Sequence, residues 1–139
     1  MLACTLLALV ASVAVARTAV AAEPSKEIIA AAVADPSRPA ADTVRDANRK
    51  PAQMLAFAGV KPGDRVADYA AGAGYFTRLF AGVVGAKGHV YASVPSALFQ
   101  YPNIVKGIAD IENYVVGHPN VSVTFASALD AAKYPEKLD

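Results

Sequence analysis

The spacing of apolar and polar positions changes along this chain and divides it into three stretches. Residues 2–16 are apolar or small without a break. From Ser25 to Ala58 apolar residues recur at helical spacing, interrupted at Asp35-Pro36-Ser37-Arg38-Pro39 and again at Lys50-Pro51. The residue before a proline resists the α conformation, so this stretch predicts two or three helices. The last of them, Pro51–Ala58, carries Met54, Leu55 and Phe57 and stops at Gly59. The period then shortens. Lys61-Pro62-Gly63-Asp64 places Pro and Gly where a type II turn takes them, and the run Arg65–Ala70 after it reads as a strand. Ala71-Gly72-Ala73-Gly74 is a glycine-rich turn. Tyr75, Phe76, Leu79, Phe80, Val83 and Val84 follow as a helical stripe that ends at Gly85. A second strand, His89–Val94, is closed by Pro95. Ile104, Val105, Ile108, Ile111 and Val115 mark a further amphipathic helix, and Gly117-His118-Pro119-Asn120 breaks it before a third strand, Val121–Ala126. Ala128–Asp139 reads as a loop or short helix.

Strand, helix and strand in this order make a βαβ unit with parallel strands and a right-handed crossover. Continued alternation predicts an α/β fold, a Rossmann-like doubly wound parallel sheet of which about three strands are present, preceded by helices. The expected division is 1–22 as a signal peptide, 23–60 as a helical segment and 61–139 as the α/β domain.

The apolar run at the N-terminus is about fifteen residues, short of the roughly twenty that span a bilayer. It fits the core of a secretory signal, with small residues in Ala19-Val20-Ala21 and Val20-Ala21-Ala22 ahead of the polar start Glu23-Pro24-Ser25-Lys26. Cleavage is expected near Ala22, which places the mature chain in the bacterial periplasm or outside the cell, without a stable membrane anchor. That cleavage removes Cys4, the one cysteine, and Arg17, and leaves a chain of zero formal charge without a thiol.

Composition narrows the function classes. The chain has 139 residues, 55% hydrophobic and 18% charged, which is the composition of one globular domain. A formal charge of +1 offers no net field for a polyanion, so nucleic acid is not an expected partner. One cysteine and two histidines build neither a disulfide framework nor a Cys/His zinc site, and no metal is expected. His89, at the start of a strand, and His118, in a turn, read as structural. Asp42, Arg45, Asp46 and Arg49 recur at spacings of three and four and read as a solvated face of alternating charge.

The chemistry-bearing feature is the turn after the first strand. Glycines there let backbone approach a ligand, and the next helix presents its N-terminus at the same place, which implies a nucleotide-type ligand. Gly72-Ala73-Gly74-Tyr75-Phe76-Thr77 has Thr77 where a dinucleotide fingerprint has its third glycine, which disfavours a nicotinamide-dependent oxidoreductase. Val66-Ala67-Asp68-Tyr69-Ala70-Ala71-Gly72-Ala73-Gly74 instead resembles motif I of class I S-adenosylmethionine-dependent methyltransferases, an acid with glycines four and six residues on. The flanks Val60–Val66 and Val84–Ala92 resemble the lead-in and second strand of that family. More narrowly, Arg45-Asp46-Ala47-Asn48-Arg49-Lys50-Pro51 with Gly74-Tyr75-Phe76-Thr77-Arg78 resembles a group of predicted bacterial methyltransferases made with signal peptides.

The resemblance implies that Gly72 and Gly74 pass the methionine portion of S-adenosylmethionine closely and that Asp68 helps to hold that end. A side chain at either glycine is expected to stand where the ligand lies, and a carboxylate suits an ammonium. Three positions depart from the family. Ala70 replaces its first glycine, the ribose acid falls at Ser93 or Val94, and the adenine acid falls at Ser127, with Asp130 three residues later. The candidate cofactor-binding set is thus Asp68, Ala70, Gly72, Gly74, Tyr75, Ser93, Val94 and Ser127. Methyl transfer needs mainly alignment, with a base only if the acceptor carries a proton at neutral pH. Neither a base nor the methyl acceptor can be named from the sequence. In this family acceptor-binding residues usually come from the fourth strand onward, so the chain is expected to be the cofactor-binding half of a longer enzyme. The alternative is a non-catalytic exported module that keeps the fold. A three-stranded sheet also leaves the first strand as an apolar edge.

Overall fold

The computed structural model describes residues 26–125, 134–135 and 137–139. The expected signal segment with Cys4, and positions Ser127 and Asp130, lie outside the described residues.

Four short helices come first: α1 (Lys26–Val33), α2 (Ala40–Thr43), α3 (Asp46–Arg49) and α4 (Pro51–Ala58). The two proline breaks fall where the sequence puts them, and a further break separates α2 from α3. Its cause is the side chain of Arg45. The carbonyl of Ala41 accepts Arg45 Nε at 2.9 Å, while the Arg45 backbone N–H turns to the carbonyl of Asp42, one residue closer than a helix requires.

The sheet holds β1 (Arg65–Tyr69), β2 (His89–Ser93) and β3 (Val121–Thr124), in the order β1-β2-β3 and parallel throughout. This is an α/β fold whose sequential parallel strands form a Rossmann-like sheet. Between the strands run α5 (Tyr75–Val84) and α6 (Pro102–Val115). β1 ends at Tyr69, one residue earlier than the hydrophobic pattern suggests, because Ala70 turns left-handed at φ 59° and leaves the ladder.

Register and alternation put Val66, Asp68, Val90, Ala92, Val121 and Val123 on one face of the sheet. Leu79, Val83 and Val84 of α5 join Val90 and Val121 in the core, with Ile29 and Ala32 of α1 and Leu55 of α4 behind them. Burying Leu79 completely stabilises the fold by about 1.5–3 kcal/mol. On the opposite face His89 Nε2 lies 3.0 Å from Ser122 Oγ, and the Tyr91 ring meets those of His89 and Tyr134. His118 stacks on Tyr114 at 3.6 Å and bonds its carbonyl through Nδ1. No group of residues able to hold a metal ion occurs among the described residues, and none of their helices is long and apolar enough to cross a membrane.

β1 forms one edge of the described sheet. Its first residue meets Asp139: the Arg65 N–H donates to Asp139 Oδ2 at 2.9 Å, and the Asp139 N–H donates to the Arg65 carbonyl at 3.1 Å.

Candidate functional site

The turn after β1 is built from alternating left-handed residues, Ala70, Gly72 and Gly74, at φ 59°, 58° and 82°. Two backbone bonds fix it. The Ala71 N–H donates to the carbonyl of Ser93 at the end of β2 (3.1 Å), and the Gly74 N–H donates to the carbonyl of Ala71 (2.9 Å). The two glycines answer different needs. A methyl group on Gly72 would meet nothing nearer than the Ala70 carbonyl at 3.9 Å, so that position opens onto free space. One on Gly74 would stand 2.8 Å from Ile111 Cγ1 of α6. The expectation that both glycines make room for a ligand is therefore corrected for Gly74, whose missing side chain makes room for α6.

Asp68 points from β1 toward the start of α5, where the Thr77 hydroxyl donates to its Oδ2 at 2.6 Å. Burial pushes the Asp68 carboxyl above the usual carboxylate range, while the bonds from Thr77 and the charge of Arg49 pull it back. Thr77, fully buried, is thus the partner that orients the acid, a role that the missing third glycine does not reveal.

A cavity of about 320 Å³ opens over this turn, lined by Asp68, Ala70, Gly72 and Tyr75 on the sheet side, Arg49 above and Asn103 of α6 at the flank. Larger clefts lie elsewhere. One of about 620 Å³, between α2 and α6, is lined by Asp42, Arg45 and Arg78, and these charges are already paired with one another. Another, of about 680 Å³, follows the open edge of β1 from Val60 to Ala67. The smaller cavity is the candidate site, because it alone of the three touches both Asp68 and the glycine turn.

Its roof is ionic. Arg38 forks onto Asp46 at 2.9 and 2.7 Å, and the Tyr75 hydroxyl donates to the same carboxylate at 2.6 Å. Arg45 and Arg78 share Asp42 at 2.6 and 3.0 Å, and Arg78 also donates to the Ala73 carbonyl at 2.7 Å. Asp42 is only 3% exposed. Of the alternating charges of α2 and α3, Arg49 is exposed as their spacing suggests, while Asp42 and Asp46 are drawn into ion pairs instead of facing solvent alone. Through Arg78 and Tyr75 these two carboxylates bind the helices to the glycine turn, and a buried carboxylate needs partners of this kind. Arg38 holds the Asp46 carboxyl below its usual range, helped by Tyr75. Burial and the bond to Asp46 push the Tyr75 hydroxyl up to about 12. The guanidinium groups of Arg45 and Arg49 lie over the Tyr75 ring at 5.0 and 4.7 Å.

Of the candidate set, the structure brings Asp68, Ala70, Gly72 and Tyr75 to the cavity wall. Ser93 and Val94 are fully buried and do not line it. The Val94 N–H pairs with the Thr124 carbonyl at 2.8 Å, while the Ser93 hydroxyl is buried without a hydrogen-bond partner among the described residues. Three contributors escape the sequence reading: Arg45 and Arg49 in the roof, and Gly107, whose added methyl would press to 2.9 Å from Ala73 N. A glycine inside the otherwise regular helical stripe of α6 was the available signal for the last.

No family model and no curated protein matches this chain. Among solved structures it is similar to fibrillarin from Aeropyrum pernix in complex with natively bound S-adenosyl-L-methionine, at 21% identity and a TM-score of 0.42, over 54% of this chain and 29% of that one. It is also similar to a SAM-dependent methyltransferase from Aquifex aeolicus, at 27% identity and a TM-score of 0.47, over 74% of this chain and 47% of that one. The chain thus spans less than half the length of either solved protein.

Proposed function

We propose that this chain carries the S-adenosylmethionine-binding half of a methyltransferase, with the methyl acceptor bound by residues outside the described segment. The observation that supports it most is Asp68, a desolvated carboxylate oriented by Thr77 beside a turn that is open at Gly72. Such a carboxylate gains strongly from a cationic partner, and the cofactor's α-ammonium is one. In this reading Asp68 holds the ammonium end, the backbone at Gly72 passes the ligand closely and Tyr75 walls the cavity. The bound cofactor would supply an electrophilic methyl group on its sulfonium, and the protein's task would be alignment. The same reading places the mature chain outside the cytoplasm, starting near Glu23. N-terminal sequencing of the exported protein checks this, and a start at Met1 overturns it.

Calorimetric titration of S-adenosylmethionine into the full chain, with NAD as control, tests the function. Saturable binding of the first alone is expected, lost in Gly72→Val. Gly59→Val supplies the control for backbone strain, because Gly59 is equally left-handed (φ 67°) yet lies away from the cavity. A folded chain that binds neither ligand overturns the proposal. That result would favour the second reading, a non-catalytic exported module, which the carboxylate-free end of β2 at Ser93-Val94 supports.

A further inference from the structure

Four arginines surround the glycine turn, and three of them are spoken for. Arg38 is taken by Asp46, and Arg45 and Arg78 are taken by Asp42. The guanidinium of Arg49, the last residue of α3, forms no ion pair or hydrogen bond among the described residues. Arg49 is exposed, rests on the rings of Tyr75 and Phe76 at 4.7 and 5.9 Å, and lines the same cavity as Asp68, whose carboxyl feels its charge. Aromatic stacking holds the plane of a guanidinium and leaves its edge donors free.

The geometry points to Arg49 as the residue that selects a ligand bearing a free α-carboxylate, which it would hold from the roof while Asp68 holds the α-ammonium from the floor. This inference rests on the cofactor reading above and adds the feature of the ligand that is read. A cavity lined by one carboxylate and one guanidinium without an ion pair matches a zwitterion. It does not match a pyrophosphate, whose second charge would meet Asp68 unpaired. The neighbours keep Arg49 in place. Lys50 turns left-handed (φ 47°) directly after it, and Pro51 starts α4, so α3 cannot continue and carry the side chain away.

The test compares S-adenosylmethionine with its decarboxylated analogue, which keeps the sulfonium, the amine and the nucleoside. Both are titrated into the full chain and into Arg49→Met and Arg49→Lys. The unaltered chain should favour the carboxylate-bearing ligand by about tenfold or more, the scale of one charge-assisted bond. Arg49→Met should abolish that preference by weakening S-adenosylmethionine alone, and Arg49→Lys should restore part of it. Equal weakening of both ligands in Arg49→Met, or none, overturns the inference while the cofactor reading stands. Binding of neither ligand to the unaltered, folded chain overturns both.

Discussion

At the scale of single residues, the turn after β1 holds one position that its own backbone disfavours. Ala70 sits at φ 59°, in the region where a β-carbon crowds the following carbonyl. That conformation costs about 1–2 kcal/mol for a residue with a side chain, and glycine loses about 0.5–1 kcal/mol of chain entropy in exchange. Ala70→Gly should therefore stabilise the protein by about 0.5–1 kcal/mol, read as a higher denaturant midpoint at unchanged slope. A lower midpoint would mean that the methyl group packs against something that repays the strain. Thr77 presents the opposite case. Its hydroxyl is the side-chain donor to a desolvated carboxylate, so Thr77→Val should cost about 1–3 kcal/mol and raise the Asp68 titration further. Carboxyl NMR titration of the variant checks the second effect, and an unmoved Asp68 would assign the orientation of the acid to something other than this bond.

At the scale of elements, the contact between α6 and the glycine turn has no slack. A methyl group on Gly107 would lie 2.9 Å from Ala73 N and 3.0 Å from the Gly72 carbonyl, all of it backbone. Alanine in a helix interior gains about 1 kcal/mol over glycine, yet overpacking against an immovable neighbour costs about 1–3 kcal/mol. Gly107→Ala should lower stability and loosen ligand binding together, because the displaced peptide is the one that faces the cavity. Thermal unfolding and titration on the same sample check this, and a stabilised variant with intact binding would show that α6 can retreat without the turn. The elements themselves were legible because their signals are local. Pro62-Gly63, the stripe from Tyr75 to Val84 and the glycine at 85 each act within a few residues. The site was legible only at Asp68, Ala70, Gly72 and Tyr75, which a local motif contains. The roof was not, since Tyr75 reaches back 29 positions to Asp46 and Arg78 reaches 36 to Asp42. A period of three or four shows that charges share a face. It does not show whether that face meets water or a buried tyrosine.

At the scale of the whole molecule, the Arg38–Asp46–Tyr75 cluster is the joint between the N-terminal helices and the sheet domain, and its chemistry fixes the pH range in which the joint holds. Asp46 ionises more readily folded than unfolded, so its contribution is present above the ordinary aspartate value of 3.8 and is lost as pH falls through the lower folded value. Tyr75 behaves in reverse. Raised from 10.0 to about 12, it stabilises fully below 10.0 and ceases to as pH rises through about 12. Between these limits the roof should stay clamped over the cavity. Beyond either, amide exchange across residues 40–49 should quicken while β2, with its fully buried Val90 and Ala92, stays protected. Asp46→Asn separates the causes. It should flatten the acid limb and bring the Tyr75 titration partway back toward 10.0, but not to it, because burial, the largest single cause of the shift, remains. If the variant instead leaves Tyr75 at about 12 and exchange in α2 and α3 follows that of β2 at every pH, then the roof and sheet open as one unit, and the joint is part of the core rather than a clasp upon it.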